Sequence, residues 1–298
     1  MNYIVSVPVN ENVASFIGKK SSEEGLVFFN RKLSNDVIVA IMPQNREEKV
    51  YYSMAETMLI SGQVVISTDP VDKFLGEVLV AASLLDRHVI LLDENDVSKI
   101  VSGLLKDFEV CGRDTLLDRI AAHGKQREGE LRIDIDRAFP VKGIGTVILG
   151  IVTRGTVKVH DTLYHSSGKQ VSIKSIQSQD IDVDAAGYGT RVGLAVKGLE
   201  YDEAEKGDLL LPGPFQRAGA VMVTIKSSSF ANEKMEQGRR YTFVSNFSRV
   251  VAKIGDIDGQ NAKLDFEKPT SVMPGDEFVL VREQSPHIFA AGKVVSVH

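Results

Sequence analysis

Apolar and polar positions fall into two rhythms along this chain, and the change comes near residue 126. Over residues 1–122 strand-like and helix-like stretches take turns. Asn2–Val9 alternates as a strand does, Val13–Ile17 has the spacing of a short helix, and Leu26–Phe29 and Val37–Met42 read as further strands. Glu47–Ile60 is helical in spacing, and Val64–Ser67 is a short strand of the buried type. Asp69-Pro70 predicts a helix start, an N-cap residue with proline at the first helical position. The helix that follows places Phe74, Val78, Ala81 and Leu85 on one face, and His88–Leu92 returns as a strand. Ser98–Leu105, Phe108–Val110 and Asp114–Ala122 complete the series. Such alternation predicts a largely parallel sheet flanked by helices.

After Gly124-Lys125-Gln126-Arg127-Glu128-Gly129 the chain turns to short strands rich in Val and Ile, broken by Gly, Asp and Pro as in barrels and sandwiches. A second break falls at Leu211-Pro212-Gly213-Pro214, where two prolines around a glycine read as a linker. The expected organisation is an α/β domain over residues 1–126 and two all-β barrels over 127–212 and 213–298.

Composition narrows the function classes. With 298 residues, 43% hydrophobic and 25% charged, the chain is ordinary globular protein. A single cysteine, Cys111, rules out an internal disulfide framework, suits a reducing cytoplasm and reads as a buried small hydrophobe. No basic leader or cleavage site opens the chain, and no apolar run approaches the roughly 18 residues of a membrane span. A cytoplasmic protein with no membrane partner is therefore expected. The net charge of −5 argues against a strongly basic nucleic-acid binder and against a DNA partner. Lys and Arg number 13 against 18 acids over residues 1–126, 11 against 13 over 127–212, and 11 against 9 over 213–298, so only the last third leans positive.

The middle block carries a specific resemblance. Arg132-Ile133-Asp134-Ile135-Asp136-Arg137-Ala138-Phe139-Pro140-Val141-Lys142-Gly143-Ile144-Gly145-Thr146-Val147 resembles the opening of the second domain of translational GTPases, and most of all that of the selenocysteine elongation factor SelB. The likeness runs on through Arg154–Asp161, Val171–Gln177, Ala186-Gly187, Arg191–Leu194 and Lys206–Leu210, and Val272–Asp276 resembles the matching stretch of the family's third domain. It implies a degenerate P-loop GTPase-like α/β domain followed by two barrels like domains 2 and 3 of elongation factor Tu. The glycines at 143 and 145 have a meaning of their own, a tight turn between apolar strands, and Gly155 and Gly207 read as turn residues with charged neighbours facing water.

Against the family's nucleotide motifs the first domain fails at four places. A P-loop needs a glycine-rich turn with Lys and Ser/Thr around the phosphates, and here the turn is Pro8-Val9-Asn10-Glu11-Asn12. Glu11 would repel a phosphate, and Gly18-Lys19-Lys20-Ser21 lies after the helix rather than before it. The magnesium-holding motif is replaced by Ile41-Met42-Pro43-Gln44, with Asn45 at the water-positioning place. The guanine-reading motif becomes Asp93-Glu94-Asn95-Asp96, and the base-contacting Ser-Ala becomes Val110-Cys111. The resemblance thus implies a pseudo-GTPase with no catalytic residues, in which neither GTP nor Mg²⁺ is expected to bind.

In the family a second-domain pocket holds the aminoacyl group and terminal adenosine of a charged tRNA. Carried over by position, Asp136 and Arg137 would face the amino acid, Phe139 would line the pocket, Gln177 would lie by the ribose and Arg191 at the rim. Two readings stand. Arg137 and Arg191 complement an anionic group, or Asp136 and Arg137 merely pair with each other or with Lys142. In the third domain Arg239, Arg240 and Arg249 interleave with Tyr241, Phe243 and Phe247, which suits an RNA surface but equally suits a strand with its aromatics inward. His160 replaces a glycine of the family turn, and no ligand spacing suggests a metal site. The chain ends at His298, so SelB's C-terminal RNA-binding extension and its decoding role are not expected.

The expected partners are tRNA or aminoacyl-tRNA, or a translation-associated protein. The alternatives are a protein-interaction scaffold that binds no RNA, and a divergent active GTPase.

Overall fold

A computed structural model describes residues 2–22, 26–33, 36–44, 50–124, 128–231 and 234–298. The first domain contains β1 (Asn2–Ser6), α1 (Glu11–Ile17), β2 (Lys19–Ser22), β3 (Leu26–Lys32), β4 (Val37–Pro43), α2 (Val50–Ile60) and β5 (Gln63–Ser67). It continues with α3 (Lys73–Leu84), β6 (His88–Leu92), α4 (Ser98–Val101), β7 (Phe108–Val110) and α5 (Leu116–His123). The sheet order is β2-β3-β4-β1-β5-β6-β7. Strands β4, β1, β5, β6 and β7 run parallel, whereas β2, β3 and β4 pair antiparallel. The sheet is therefore mixed, and its antiparallel edge includes a strand, β2, that the apolar pattern does not signal. Lys19-Lys20-Ser21-Ser22 is polar, and it is held by pairing with β3.

Two described helix boundaries differ from expectation by three residues or more. The helix after β5 starts at Lys73, because the Asp72 carboxylate accepts from Leu75 N at 2.9 Å and caps it. Asp69 instead offers its carbonyl to Asn10 Nδ2. The apolar spacing of Ser98–Leu105 yields helix only to Val101, after which the Leu104 and Leu105 amides both turn back to the Val101 carbonyl. Helix α2 is buried on all faces from Ser53 to Ile60, as a helix enclosed by other elements must be.

The middle block comprises β8 (Arg132–Val141), β9 (Gly145–Arg154), β10 (Thr156–Lys158), β11 (Thr162–His165), β12 (Gln170–Ser178), β13 (Ile181–Val183), β14 (Ala185–Gly187), β15 (Arg191–Lys197) and β16 (Leu209–Leu211). Its order is β11-β16-β8-β9-β15-β12-β13, and pairing of β11 with β12 closes the ring. The β8–β9 turn has Gly143 and Gly145 at φ 83° and 99°, the backbone that glycine permits. The last block, β17 (Ala218–Ser227), β18 (Arg240–Ser245), β19 (Ser248–Asp258), β20 (Asn261–Thr270), β21 (Glu277–Val281) and β22 (Ile288–Val297), is a closed barrel.

The three blocks share cores. Met54, Met58, Val78 and Ala81 of α2 and α3 belong to one apolar cluster with Val244, Val279, Val281 and Ile288 of the last barrel. A second cluster joins Ile4, Phe28 and Ile41 to Ile151 and Tyr188 of the middle barrel and to Phe247 of the last. Gly207 lies in this seam, where a Cβ would sit 2.6 Å from Ser248 Cα.

Polar groups complete the seams. The Asp208 carboxylate receives His165 Nε2 at 3.1 Å, Ser271 Oγ at 2.8 Å, Arg217 Nε at 2.8 Å and Glu205 N at 2.8 Å. Burial alone would raise its pKa, but the bonds from His165, Arg217 and Glu205 overcome that and hold it well below the carboxylate range. A depressed folded-state pKa gives stability that is complete above the unfolded value of about 3.9 and is lost as pH falls below it. The wild-type melting temperature is expected to drop more steeply between about pH 4 and 3 than that of Asp208→Asn. Parallel profiles would show that the pairing adds nothing.

Candidate functional site

Two regions test the sequence expectations, the turn after β1 and the cleft between the first two domains. At the turn, Asn10 adopts φ 72° and its side chain caps α1, which is only seven residues long, by accepting from Asn12 N at 3.1 Å. Its amide nitrogen donates to Ser67 Oγ at 3.4 Å and to the Asp69 carbonyl at 3.1 Å. Ser67 Oγ donates to Glu94 Oε2 at 2.7 Å, and Glu94 Oε1 receives Arg113 Nη2 at 3.1 Å. Asp93 accepts from Val97 N and Ser98 N at 2.8 and 3.1 Å, and Asp96 sits in the same turn at φ 49°. Glu11 is exposed and pairs with Lys20 at 3.0 Å. Ile41 is core, its carbonyl taken by Val7 N at 2.9 Å, and Gln44 is half-buried just past β4. Asn45 lies outside the described residues. Asn10, Ser67, Asp69, Glu94 and Arg113 bond to one another and present a carboxylate, whereas a phosphate site needs converging N–H donors.

The second region brings three of the five second-domain candidates together. Arg137, Gln177 and Arg191 line a cleft of about 670 Å³, facing Lys19, Lys20 and Asn30 of the first domain. A β-bulge sets the geometry. From Ile135 to Arg137 strand β8 advances two residues while β9 moves only from Gly150 to Leu149. Asp136, the extra residue, is buried, and Arg137 is exposed.

Asp136 pairs neither with Arg137 nor with Lys142 as one reading expected; its partner is Arg191, Nη2 to Oδ2 at 3.2 Å. Arg191 lies over the Phe28 ring at 4.2 Å, and its Nη1 is buried with no hydrogen-bond partner. Burial pushes the Asp136 carboxyl up, with Arg191 and Lys206 pulling the other way. Burial likewise pulls the Arg191 guanidinium down, opposed by Asp136 and reinforced by the like charge of Arg137. Phe139 lies beneath Arg137, 5.5 Å from its guanidinium, and does not line the cleft. Gln177 Nε2 donates to Asp182 Oδ1 at 2.9 Å. Chemically the cleft offers two guanidinium groups and two ammonium groups to an anionic or carbonyl-rich ligand, within the size range of small-molecule pockets.

Sequence reasoning missed Lys19 and Lys20 as parts of this site, dismissing them as a false phosphate loop. It also missed Phe28, whose ring supports Arg191 from another domain. Nothing local in the sequence connects residues so far apart.

The third-domain candidates divide. Arg239 and Arg240 line a separate hollow of about 610 Å³ and pair with Glu236 at 2.9 Å and Glu267 at 2.7 Å. Tyr241 and Phe243 point into the barrel, stacked on Phe289 and Phe278 with centroids 4.4 and 4.9 Å apart, so they present no face to a base. Arg249 is not on an outward RNA surface. It pairs with Glu56, which is fully buried on α2 and also receives Lys206 Nζ at 3.0 Å, so that all three domains meet at one carboxylate. Cys111 is half-buried rather than buried.

Comparison with known proteins agrees with this architecture. The family model for elongation factor Tu domain 2 matches residues 145–211. An uncharacterized protein of Methanocaldococcus jannaschii is 28% identical over 283 residues, 91% of this chain and 92% of that protein. The selenocysteine-specific elongation factor of Haemophilus influenzae is 28% identical over 177 residues, covering 56% of this chain but 28% of that factor's own length. Among solved structures, apo translation elongation factor SelB from Methanococcus maripaludis aligns with a TM-score of 0.78 at 16% identity, over 100% of this chain and 80% of that one.

Proposed function

We propose, from the premise that this chain is a SelB-like relative of the translational GTPases, that it has left the nucleotide cycle and holds the aminoacyl end of a tRNA in the cleft between its first two domains. The observation that carries this reading is the cleft itself, where Arg137, Gln177 and Arg191 converge on one side and Lys19 and Lys20 on the other. The unpartnered Nη1 of Arg191 is a donor suited to a carbonyl or anionic oxygen of the ligand. The loss of the nucleotide cycle is supported by the mutual bonding of Asn10, Ser67, Asp69, Glu94 and Arg113 where the family places its phosphate loop. No described helix is long and apolar enough to cross a membrane, and the reading places the protein in the cytoplasm, beside its substrate RNA.

The test is a titration of fluorescently labelled aminoacyl-tRNA followed by anisotropy. Arg137→Ala is the informative variant, because Arg137 is exposed and its removal leaves the Asp136–Arg191 pair intact. Losing one charge-assisted contact is expected to weaken binding about tenfold or more. Unchanged affinity would remove the cleft from consideration. Calorimetry with GTP or GDP and Mg²⁺ is expected to give no binding heat, and micromolar affinity would make the chain a divergent but genuine GTPase. Recovery of stable protein complexes free of RNA, together with no tRNA affinity, would instead identify a protein-docking scaffold.

A further inference from the structure

We propose that His88, Glu109 and His123 form a binding site for a divalent transition-metal ion of the zinc class at the edge of the first domain. His88 opens β6, Glu109 is the middle residue of the edge strand β7, and His123 is the last residue of α5. Parallel pairing of Ile90 with Glu109 brings the two strands together, and α5 packs on the same sheet through Leu116 and Ile120. His88 Nε2 and His123 Nε2 then lie 3.5 and 3.4 Å from a single oxygen, Glu109 Oε1. The potential ligand atoms of the three residues all fall within 4.8 Å of one another.

These separations are too long for good hydrogen bonds. They are close to those around a tetrahedral ion, whose ligand atoms at 2.0–2.1 Å from the metal stand about 3.3 Å apart. His88 Nε2 and Glu109 Oε1 are buried and have no hydrogen-bond partner. The tautomer sharpens the point. His88 Nδ1 bonds Asp107 Oδ1 at 2.8 Å, and because a carboxylate accepts, Nδ1 carries the proton. In the neutral ring Nε2 is then a lone pair facing a carboxylate oxygen, two acceptors turned on each other. One divalent ion satisfies all three groups at once.

The surroundings agree with that assignment. The Asp107–His88 bond is the carboxylate–histidine arrangement that orients and strengthens metal-binding imidazoles. Arg119 Nη1 lies 3.5 Å from the other oxygen, Glu109 Oε2, leaving Oε1 to the ion. His123 is 43% exposed, which opens the site to solvent and leaves room for a water as fourth ligand. Two imidazoles and a carboxylate favour zinc over magnesium or calcium. Bound there, the ion would tie α5 to a three-residue edge strand and act as a structural pin.

The experiment uses the full-length protein stripped with a chelator and titrated with Co²⁺, a zinc surrogate with visible absorption. One equivalent is expected to bind with the intense bands of a four-coordinate ion, to be displaced by Zn²⁺ and to raise the melting temperature. His123→Ala, which alters an exposed side chain at a helix end, is expected to abolish all three effects while melting as the metal-free wild type does. Asp107→Asn is expected to weaken binding by about 10–100-fold. The proposal is overturned if the wild type takes up no stoichiometric metal against a weak chelator, or if His123→Ala and Glu109→Gln bind as the wild type does.

Discussion

Replacing Arg132 with methionine is expected to lower the free energy of unfolding by about 3–5 kcal/mol, the cost of leaving buried charge uncompensated. Arg132 is 4% exposed and stands between Asp134 and Asp276, at 1% and 2%. Its Nη2 meets Asp134 Oδ1 at 3.0 Å and its Nη1 meets Asp276 Oδ1 at 2.5 Å. Burial works against the guanidinium charge, but the two carboxylates outweigh it and hold the Arg132 pKa above its usual value. The remaining bonds, from Thr153 and from Asn246 at 2.9 Å to Asp134, and from Met273 N at 2.9 Å to Asp276, supply dipoles but no formal charge. Arg154 Nη2 lies 3.4 Å from Asp276 and compensates it only in part. The chain has no tryptophan, so urea unfolding is best followed by circular dichroism. Adding Asp134→Asn and Asp276→Asn to the methionine variant should return much of the loss. A loss under about 1 kcal/mol would put this triad with surface ion pairs.

The second large effect is expected at the three-domain junction. Lys206→Met combined with Arg249→Met removes both cations from Glu56, which is 0% exposed, and is expected to destabilise by about 3–5 kcal/mol for the same reason. Each cation is partly exposed and lies near an aromatic ring, Lys206 by Phe247 and Arg249 by Tyr52, so methionine keeps much of the packing while removing the charge. Adding Glu56→Leu to the pair should restore stability, since an apolar set of similar volume needs no compensation. If the triple variant is no better than the double, the loss comes from packing and not from the stranded carboxylate.

Much of the fold was legible because it is written locally. Short stretches rich in Val and Ile, broken by Gly, Asp and Pro, marked the barrel strands, and the quoted motifs of residues 132–210 carried the resemblance to domain 2 of elongation factor Tu. The failures share a cause. Asp69-Pro70 has the residues of a helix start, but Asp72 three positions later competes for the same role and makes the cap. Strand β2 has no apolar pattern because its partner holds it. At the cleft, Arg137, Gln177 and Arg191 were legible from their place in a motif. Arg191's partners Asp136 and Phe28 depend on a one-residue bulge and on a neighbouring domain. Glu56 drew no notice in the sequence and Arg249 read as part of an RNA surface, whereas the last barrel brings the two together.

The apolar cluster that α2 and α3 share with the last barrel bears on why the first domain persists. Excising residues 2–124 would lay bare Val244, Val279, Val281 and Ile288 together on one barrel wall. A contiguous apolar patch of that kind drives self-association of an otherwise soluble barrel. Selection against aggregation would therefore retain the first domain as a cover plate, whether or not it ever meets a nucleotide. Substitutions in the turn after β1 would be tolerated, while those on its inner helices would be purged.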